Sequence, residues 1–430
     1  MADAYTTFAA MVNDAPNVYI AAKMIELATR TLVLQKIADP YTLEQKMSKT
    51  LRVIQLSRLS LPTGPLVEGV TPTTLSGVLT NIDVVTEQWG IVAAATDVLD
   101  LTTQHPITNL LIERVSMAMK ETSEREDAGV LMAATNVTYP GAVTVRSGLA
   151  ATDVFNTALA ITINAKLEMR GAPKYNPDGW YMGILQPPHK AAIVGSDQTF
   201  QQASNFARVQ KLEYGYVGPW MGIDWVMGNF LPVFVGVDAS TTGAITATKA
   251  KHTVGTSGTL TTANFQLKVV GREVTTDYER RLSVQTGNIA VTSPGSIAVQ
   301  LPSSVNYVYD IYLTQAGGTT AFLVASRQLA SSTYTITTAP AGTEAVAPVS
   351  PALNISVYPG FVVGKGAFGT VVLNGMSLQT FLTPKVASDS DPIVQRRKMG
   401  AKYMRKSFII ENNFIERFET SSAIAAVLPA

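Results

Sequence analysis

The sequence predicts an α+β fold interrupted by an inserted all-β sandwich, and three stretches carry that expectation. From Pro106 to Ala134 an apolar face gives way to a run of charge, the pattern of one long helix. Across residues 50–101 two extended segments flank a tip rich in Pro and Gly, the pattern of a long hairpin. From about Val237 to Ala352 the chain turns to Thr, Ser, Ala, Gly and Val, with recurrent strand signals and no helical period.

Composition bounds the function. A chain of 430 residues has room for two or three domains, each able to bury a core. Its formal net charge of +1 argues against a dedicated nucleic-acid binder, which carries a strong basic excess. The absence of cysteine excludes disulfides, thiolate nucleophiles and Cys-ligated metals. The start, MADAYTTFAAMVNDAP, lacks the basic lead and apolar run of a secretory leader. No stretch of about 18 uninterrupted apolar residues is present, so no membrane-spanning helix is expected. With only 15% charged residues, a soluble chain of this kind is expected to cover its surface with copies of itself.

In chain order, residues 1–49 read as an N-terminal arm and helix. Residues 1–17 are small and polar; 18–38 carry Ile20, Met24, Leu27 and Leu34 at helical spacing, and Asp39-Pro40 ends them. In 50–101, TLRVIQLSRLSL alternates through Leu51, Val53, Gln55 and Leu59. The tip holds Pro62, Gly64, Pro65, Glu68, Gly69 and Pro72, and a second extended run follows. A two-stranded ribbon is marginal in water, so this arm is expected to lie on a neighbour.

Residues 102–236 read as a long helix followed by α+β structure. Ile107, Leu110, Leu111, Val115, Ala118 and Met119 form the apolar face of the helix. Lys120, Glu121, Glu124, Arg125, Glu126 and Asp127 follow, with Glu121 and Arg125 paired four apart, and are expected to be a solvated face. A second helix spans about 152–171, with Thr152 or Asp153 as N-cap and Gly171 at its stop. Asn176-Pro177-Asp178-Gly179 is a turn, Pro187-Pro188 ends a strand, and 199–212 read as a further helix.

In 237–352, NYVYDIYLTQAGGTTAFLVAS forms a hairpin about Ala316-Gly317-Gly318, with Tyr307, Tyr309, Ile311 and Leu313 alternating to one face. The segment has the size of an immunoglobulin-like or fibronectin-like sandwich without the Cys…Trp…Cys core. Residues 353–430 resume the α+β pattern, and Phe408, Ile410, Phe414 and Arg417-Phe418-Glu419 should close its sheet.

The search for chemistry is mostly negative. Gly364-Lys365-Gly366-Ala367-Phe368-Gly369-Thr370-Val371 matches a protein-kinase glycine-rich loop, but neither the following lysine setting nor the catalytic and metal-binding motifs appear. Three glycines in a strand-to-turn element account for it. His105, His189 and His252 lack metal-ligand spacing and read as surface or turn residues. Arg396, Arg397, Lys398, Lys402, Arg405 and Lys406 form the one basic cluster, suited to phosphates, to acidic residues of a neighbour, or simply to solvent. No catalytic, cofactor-binding or metal-binding residue is assigned.

The order of these parts resembles the major capsid proteins of tailed bacteriophages, the Hong Kong 97-like fold, and within it the branch named after phage N-four. The residues carrying the resemblance are Pro65 to Pro72 at the hairpin tip, Asp97-Val98-Leu99-Asp100 and Leu231-Pro232-Val233-Phe234. Further along they are Tyr358-Pro359-Gly360, Gly364 to Gly369, Ser390-Asp391-Pro392, Gln395-Arg396 and Gly400-Ala401-Lys402-Tyr403.

That resemblance implies an N-arm, an extended loop over an adjacent subunit at 50–101, a spine helix in a peripheral domain, and an axial domain. It also implies an outward-projecting insertion at 237–352. It implies a non-enzymatic virion protein, assembled in the host cytoplasm, that forms hexamers and pentamers of an icosahedral head around double-stranded DNA. Portal, scaffolding and decoration proteins would be its other partners, with no membrane and no cofactor; no long N-terminal coiled coil offers a built-in scaffold. Pro62, Gly64, Pro65, Glu68, Gly69, Arg396, Arg397 and Lys402 are the candidate inter-subunit contacts. An encapsulin-like shell holding cargo and a β-sandwich adhesin binding surface glycans are the alternatives.

Overall fold

The computed structural model describes residues 32–46, 48–56, 59–61, 64–65, 68–69, 71, 74–96, 107–175, 179–196, 218–238, 240–241, 243–383, 395–422 and 424. The arm at 1–17, most of the 18–38 helix, the turn at 176–178, the 199–212 helix, Pro62 and His105 lie outside them.

Four strands open the described chain: β1 (Asp39–Leu43), β2 (Thr50–Leu56), β3 (Leu79–Val85) and β4 (Glu87–Thr96). The helix α1 (Ile107–Met132) follows, then β5 (Val137–Thr138), α2 (Thr157–Met169), β6 (Tyr181–Leu185) and α3 (Pro187–Ser196). Next come β7 (Gly218–Trp220), β8 (Ile223–Met227), β9 (Phe234–Val237), β10 (Ser240–Thr241), β11 (Ala250–Leu260), β12 (Ala263–Phe265) and β13 (Leu267–Glu273). β14 (Glu279–Ser283), β15 (Ile289–Val291), β16 (Gly295–Gln300), β17 (Tyr307–Thr314), β18 (Ala321–Gln328) and β19 (Thr333–Ile336) continue it. β20 (Ser356–Val363), β21 (Phe368–Leu373), β22 (Gln379–Leu382), β23 (Arg396–Ile409) and β24 (Ile415–Ser421) complete it. The chain folds as two compact units, one from residues 1–130 and 366–411, the other from 131–365 and 412–430.

The first unit is built on β23. Along one side β23 pairs antiparallel with β4; along the other it pairs with β22 and then β21, which takes β1 as a parallel neighbour. α1 covers one face of this sheet. Met399 packs with Leu111 and Ile112, and Ala401 and Tyr403 pack with Val115 and Met119. The expected hairpin is present as β2 against β3, in register from Thr50↔Val85 to Leu56↔Leu79. Its second arm does not run on to residue 101 as one strand. At Thr86, whose N–H and hydroxyl both donate to the Lys49 carbonyl at 3.0 Å, the chain leaves the hairpin and joins β23 as β4.

The second unit centres on β20, every residue of which is buried. β24 pairs along one side of it, and β6 and β9 share the other. α2 and α3 seal one face through Phe155, Leu159, Ile163, Leu167 and Ile193 against Tyr181, Trp225 and Phe418. The N-cap of α2 is Asn156, not Thr152 or Asp153: its backbone is extended and its side chain accepts the Leu159 N–H at 2.9 Å. Beyond the helix the Ala172 and Gly171 N–H groups return to the Leu167 and Glu168 carbonyls, closing it as the sequence led us to expect. Pro187-Pro188 does end β6, but it also starts α3, because proline at a first helical turn forfeits no hydrogen bond.

From β9 the sheet continues through β14, β13, β17 and β18. A second sheet, β10-β11-β16-β19, packs on this extension. Leu260, Ile297, Val299 and Ile336 from it meet Leu267, Val269, Tyr307, Tyr309, Ile311 and Leu313 in one buried cluster. The alternating face predicted for the Tyr307 strand is thus the inner face of two packed layers. One of those layers is the same sheet that holds β20.

Candidate functional site

The hairpin buries one face and exposes the other. Leu51, Val53, Ile82 and Val84 pack with Leu43, Val371 and Phe408. The alternate residues Ile54, Leu56 and Leu79 are 60%, 62% and 62% exposed, beside an Arg52–Asp83 ion pair at 2.6 Å. Beyond the last paired residues Leu59, Leu61, Leu75 and Val78 are exposed as well. This is a run of large apolar side chains in water, on an element with little core of its own. Of the predicted tip residues, Gly64, Pro65, Glu68 and Gly69 are all exposed.

The second candidate surface is the face of β4, β23 and β22 that α1 leaves open. Register places Gly90 and Val92 of β4, Gly400 and Lys402 of β23, and Phe381 of β22 side by side on it. With glycine at two of these positions the face is hollowed into a shallow groove of about 570 Å³, bordered by Lys398 and Thr383. Val92 and Phe381 are exposed in it, and the Lys402 ammonium lies 5.0 Å from the Phe381 ring centroid. Arg396 and Arg397 sit farther along β23, opposite Thr96 and Ala95, and alternation puts Arg397 and Lys402 on opposite faces of the sheet. The predicted basic cluster is therefore not one surface.

Of the remaining basic residues, Arg405 is buried and Lys406 partly buried, both held by carboxylates. Arg405 and Ser407 both bond the Asp127 carboxylate, and Lys406 lies 3.0 Å from Glu87 and 3.9 Å from Glu126. The expectation that the charged half of α1 is a solvated face is corrected here. Glu124 and Asp127 are 1% and 0% exposed. The reason is legible in retrospect: Val115, Met119, Ser123 and Asp127 follow at four-residue steps, so the apolar stripe runs straight into the charge. Glu124 accepts the backbone N–H groups of Val33 and Leu34 at 2.7 and 2.9 Å. Burial raises the Glu124 and Glu126 carboxyls and pushes Asp127 up to about 7, against the pull of Arg405.

His189 is also corrected, from a surface or turn residue to a core one. Its Nδ1 accepts the Gln186 N–H at 3.1 Å, closing the first turn of α3, and Nε2 lies 3.1 Å from the Tyr358 carbonyl. Burial lowers it to about 4, so the ring is neutral. His252 is partly buried, with Nδ1 2.7 Å from the Ser240 hydroxyl. Among the described residues no group of three or more His, Cys, Asp or Glu could hold a metal ion. Nor, among them, is any helix long and apolar enough to cross a membrane. The glycine-rich run at 364–371 is the turn from β20 into β21; Gly366 takes φ +75°, and a side chain at Gly369 would meet the Tyr41 ring at 2.7 Å.

No family model matches the chain, and no curated protein matches it in sequence. Solved structures match it in fold. The capsid structure of cyanophage P-SCSP1u aligns with TM-score 0.52 at 13% identity, over 94% of this chain and 93% of that one. The capsid of Ralstonia phage GP4 aligns with TM-score 0.52 at 9% identity, over 99% and 100%. The head structure of Helicobacter pylori bacteriophage KHP40 aligns with TM-score 0.50 at 8% identity, over 95% and 97%. The chain has the fold of a phage capsid protein. In that capsid-type fold the two exposed apolar surfaces, hairpin and groove, lie in the first unit, and the buried ion pairs of α1 and β23 are part of its frame.

Proposed function

We propose that this chain is the major capsid protein of a tailed bacteriophage, self-assembling into hexamers and pentamers that close an icosahedral head around double-stranded DNA. One observation carries the reading: the β2–β3 hairpin holds its apolar residues in water on a ribbon that is marginal alone, inside a capsid-type fold. On this reading residues 50–101 are the extended loop of a Hong Kong 97-like subunit, of the N-four-type branch, laid over an adjacent copy. Pro62, Gly64, Pro65, Glu68 and Gly69 make its contacting tip, and Arg396, Arg397 and Lys402 supply further contacts between copies. α1 is the spine of the peripheral domain at 102–236, which continues into the axial domain completed by 353–430. Residues 237–352 are an inserted immunoglobulin-like domain reaching outward.

Many weak, reciprocal contacts then close a shell, and a net charge of +1 lets subunits concentrate without strong repulsion. The packaged DNA is met non-specifically by a few basic residues. Portal, scaffolding and decoration proteins are the remaining partners, and assembly takes place in the host cytoplasm. The chain acts as a structural protein, with no chemistry of its own.

Size-exclusion chromatography with light scattering, followed by negative-stain imaging, tests this on the full chain expressed alone and with its neighbouring genes. Closed shells, or rings of five or six subunits, are expected. A stable monomer in both expressions at every salt concentration sinks the proposal.

A further inference from the structure

The centre of the first unit holds more negative charge than its neighbours neutralise. α1 contributes Glu124, Glu126 and Asp127 within one turn. β23 contributes Arg405, Lys406, Ser407 and the Tyr403 hydroxyl; β21 contributes the Thr370 hydroxyl; β4 contributes Glu87. The 3₁₀ turn Leu34–Lys36 and the residue before it contribute the Val33 and Leu34 N–H groups. Arg125, the remaining cation of that turn of α1, stacks over Trp89 instead, 5.6 Å from the ring centroid. Three carboxylates thus face two cations, and Lys406 is shared with Glu87. Glu124 Oε2 and Asp127 Oδ2 are buried without a hydrogen-bond partner, and the buried Glu126 oxygens have only the Ser407 backbone and two cations 3.8 and 3.9 Å away.

An unpaired carboxylate oxygen out of water is costly, and a proton removes most of that cost. We propose that this cluster retains a proton at neutral pH and acts as a latch that holds the segment around Val33 and Leu34 against α1. While the proton is bound, one carboxyl is neutral, and Glu124 remains free to cap the two backbone N–H groups. When the proton leaves, the extra negative charge is most cheaply relieved by admitting water. The 33–34 backbone is tied to the cluster by its two hydrogen bonds to Glu124, and the latch opens there. The sign follows from burial. Because the folded state holds the Asp127 proton up to about pH 7 and an unfolded carboxyl releases it near 3.8, latch stability falls as pH rises through that window.

The test is hydrogen exchange with mass spectrometry on the full chain between pH 6 and 8.5, corrected for intrinsic exchange rates, with infrared spectroscopy of the carboxyl region. In the wild type the 32–38 amides are expected to lose protection roughly tenfold per pH unit over the last stage of the titration. A protonated-carboxyl band present at pH 6.5 should be gone by pH 8.5. Asp127→Asn should remove both the band and the pH dependence; Glu126→Gln, at the wetter edge of the cluster, serves if Asp127→Asn does not fold. A wild type without the band at pH 6.5, or a variant that folds and keeps the wild-type pH dependence, overturns the proposal.

Discussion

His189 joins α3 to β20 in the second unit through one imidazole, and its protonation is costly. Nδ1 accepts from the N-cap of α3, so the proton sits on Nε2 and is donated to β20 at Tyr358. A second proton would have to displace the Gln186 N–H inside a cluster made of Phe155, Trp225 and Phe418 rings. The sign follows: the unfolded ring takes up a proton below about 6.5 and the folded ring only near 4, so stability is lost as pH falls through that interval. At pH 5 the contribution lost is roughly 2 kcal/mol relative to pH 7. Urea midpoints of the wild type and His189→Gln at these two pH values check it, and the variant should lose that pH dependence. The difference between the two slopes is the informative quantity, because the carboxyls around Asp127 titrate with the opposite sign over the same range.

At the scale of elements, and on the proposed function, the hairpin separates what folding needs from what assembly needs. Leu51, Val53, Ile82 and Val84 hold it to its own unit, whereas Leu56 and Leu79 face each other across the ribbon in water. Replacing both by serine should lower the unfolding free energy by no more than about 1 kcal/mol, the worth of one cross-strand pair. The concentration needed to form shells, read by light scattering, should rise roughly tenfold or more, the equivalent of about 1.4 kcal/mol per subunit. Wild-type assembly by the double variant would remove the hairpin from the interface. Elements with an unbroken period were legible in the sequence: α1 from its apolar stripe, the β2–β3 ribbon and the Tyr307 strand from alternation. Those set by distant partners were not. β1 exists because β21 accepts it as a parallel neighbour 330 residues later, at Asp39↔Gly369, and no local signal announces that. α3 begins at a Pro-Pro pair that local rules read as a stop. The groove on β23 was hidden for a related reason: Lys402 was visible in the sequence, but the hollow beside it depends on Gly90 and Gly400 meeting through register.

For the whole molecule, the issue is whether the 237–352 segment is an appendage or part of the frame. The chain enters the segment from β9 and leaves it into β20, which are adjacent strands paired at Ser356↔Val235 and Val357↔Phe234. Yet β14 pairs with β9, so the sheet does not stop at that junction. Phe234 and Val357 from the flanking strands share a buried cluster with Val270, Leu282, Tyr312 and Ala321 from within the segment. Backbone clearance is equally tight there: a side chain at Gly236 would meet the Ala352 carbonyl oxygen at 2.0 Å. Excising residues 239–354 with a short flexible bridge should therefore uncover Phe234 and Val357 and turn β9 into a raw edge. The loss is about 3–6 kcal/mol for two large side chains, with added exposure to edge-to-edge association. We expect the excised chain to be mostly insoluble, with dye binding to exposed apolar surface in what remains soluble. Adding Phe234→Thr and Val357→Thr should recover part of the soluble fraction. Wild-type solubility and melting of the excised chain would instead mean that the shared cluster contributes little and that the segment is energetically separate.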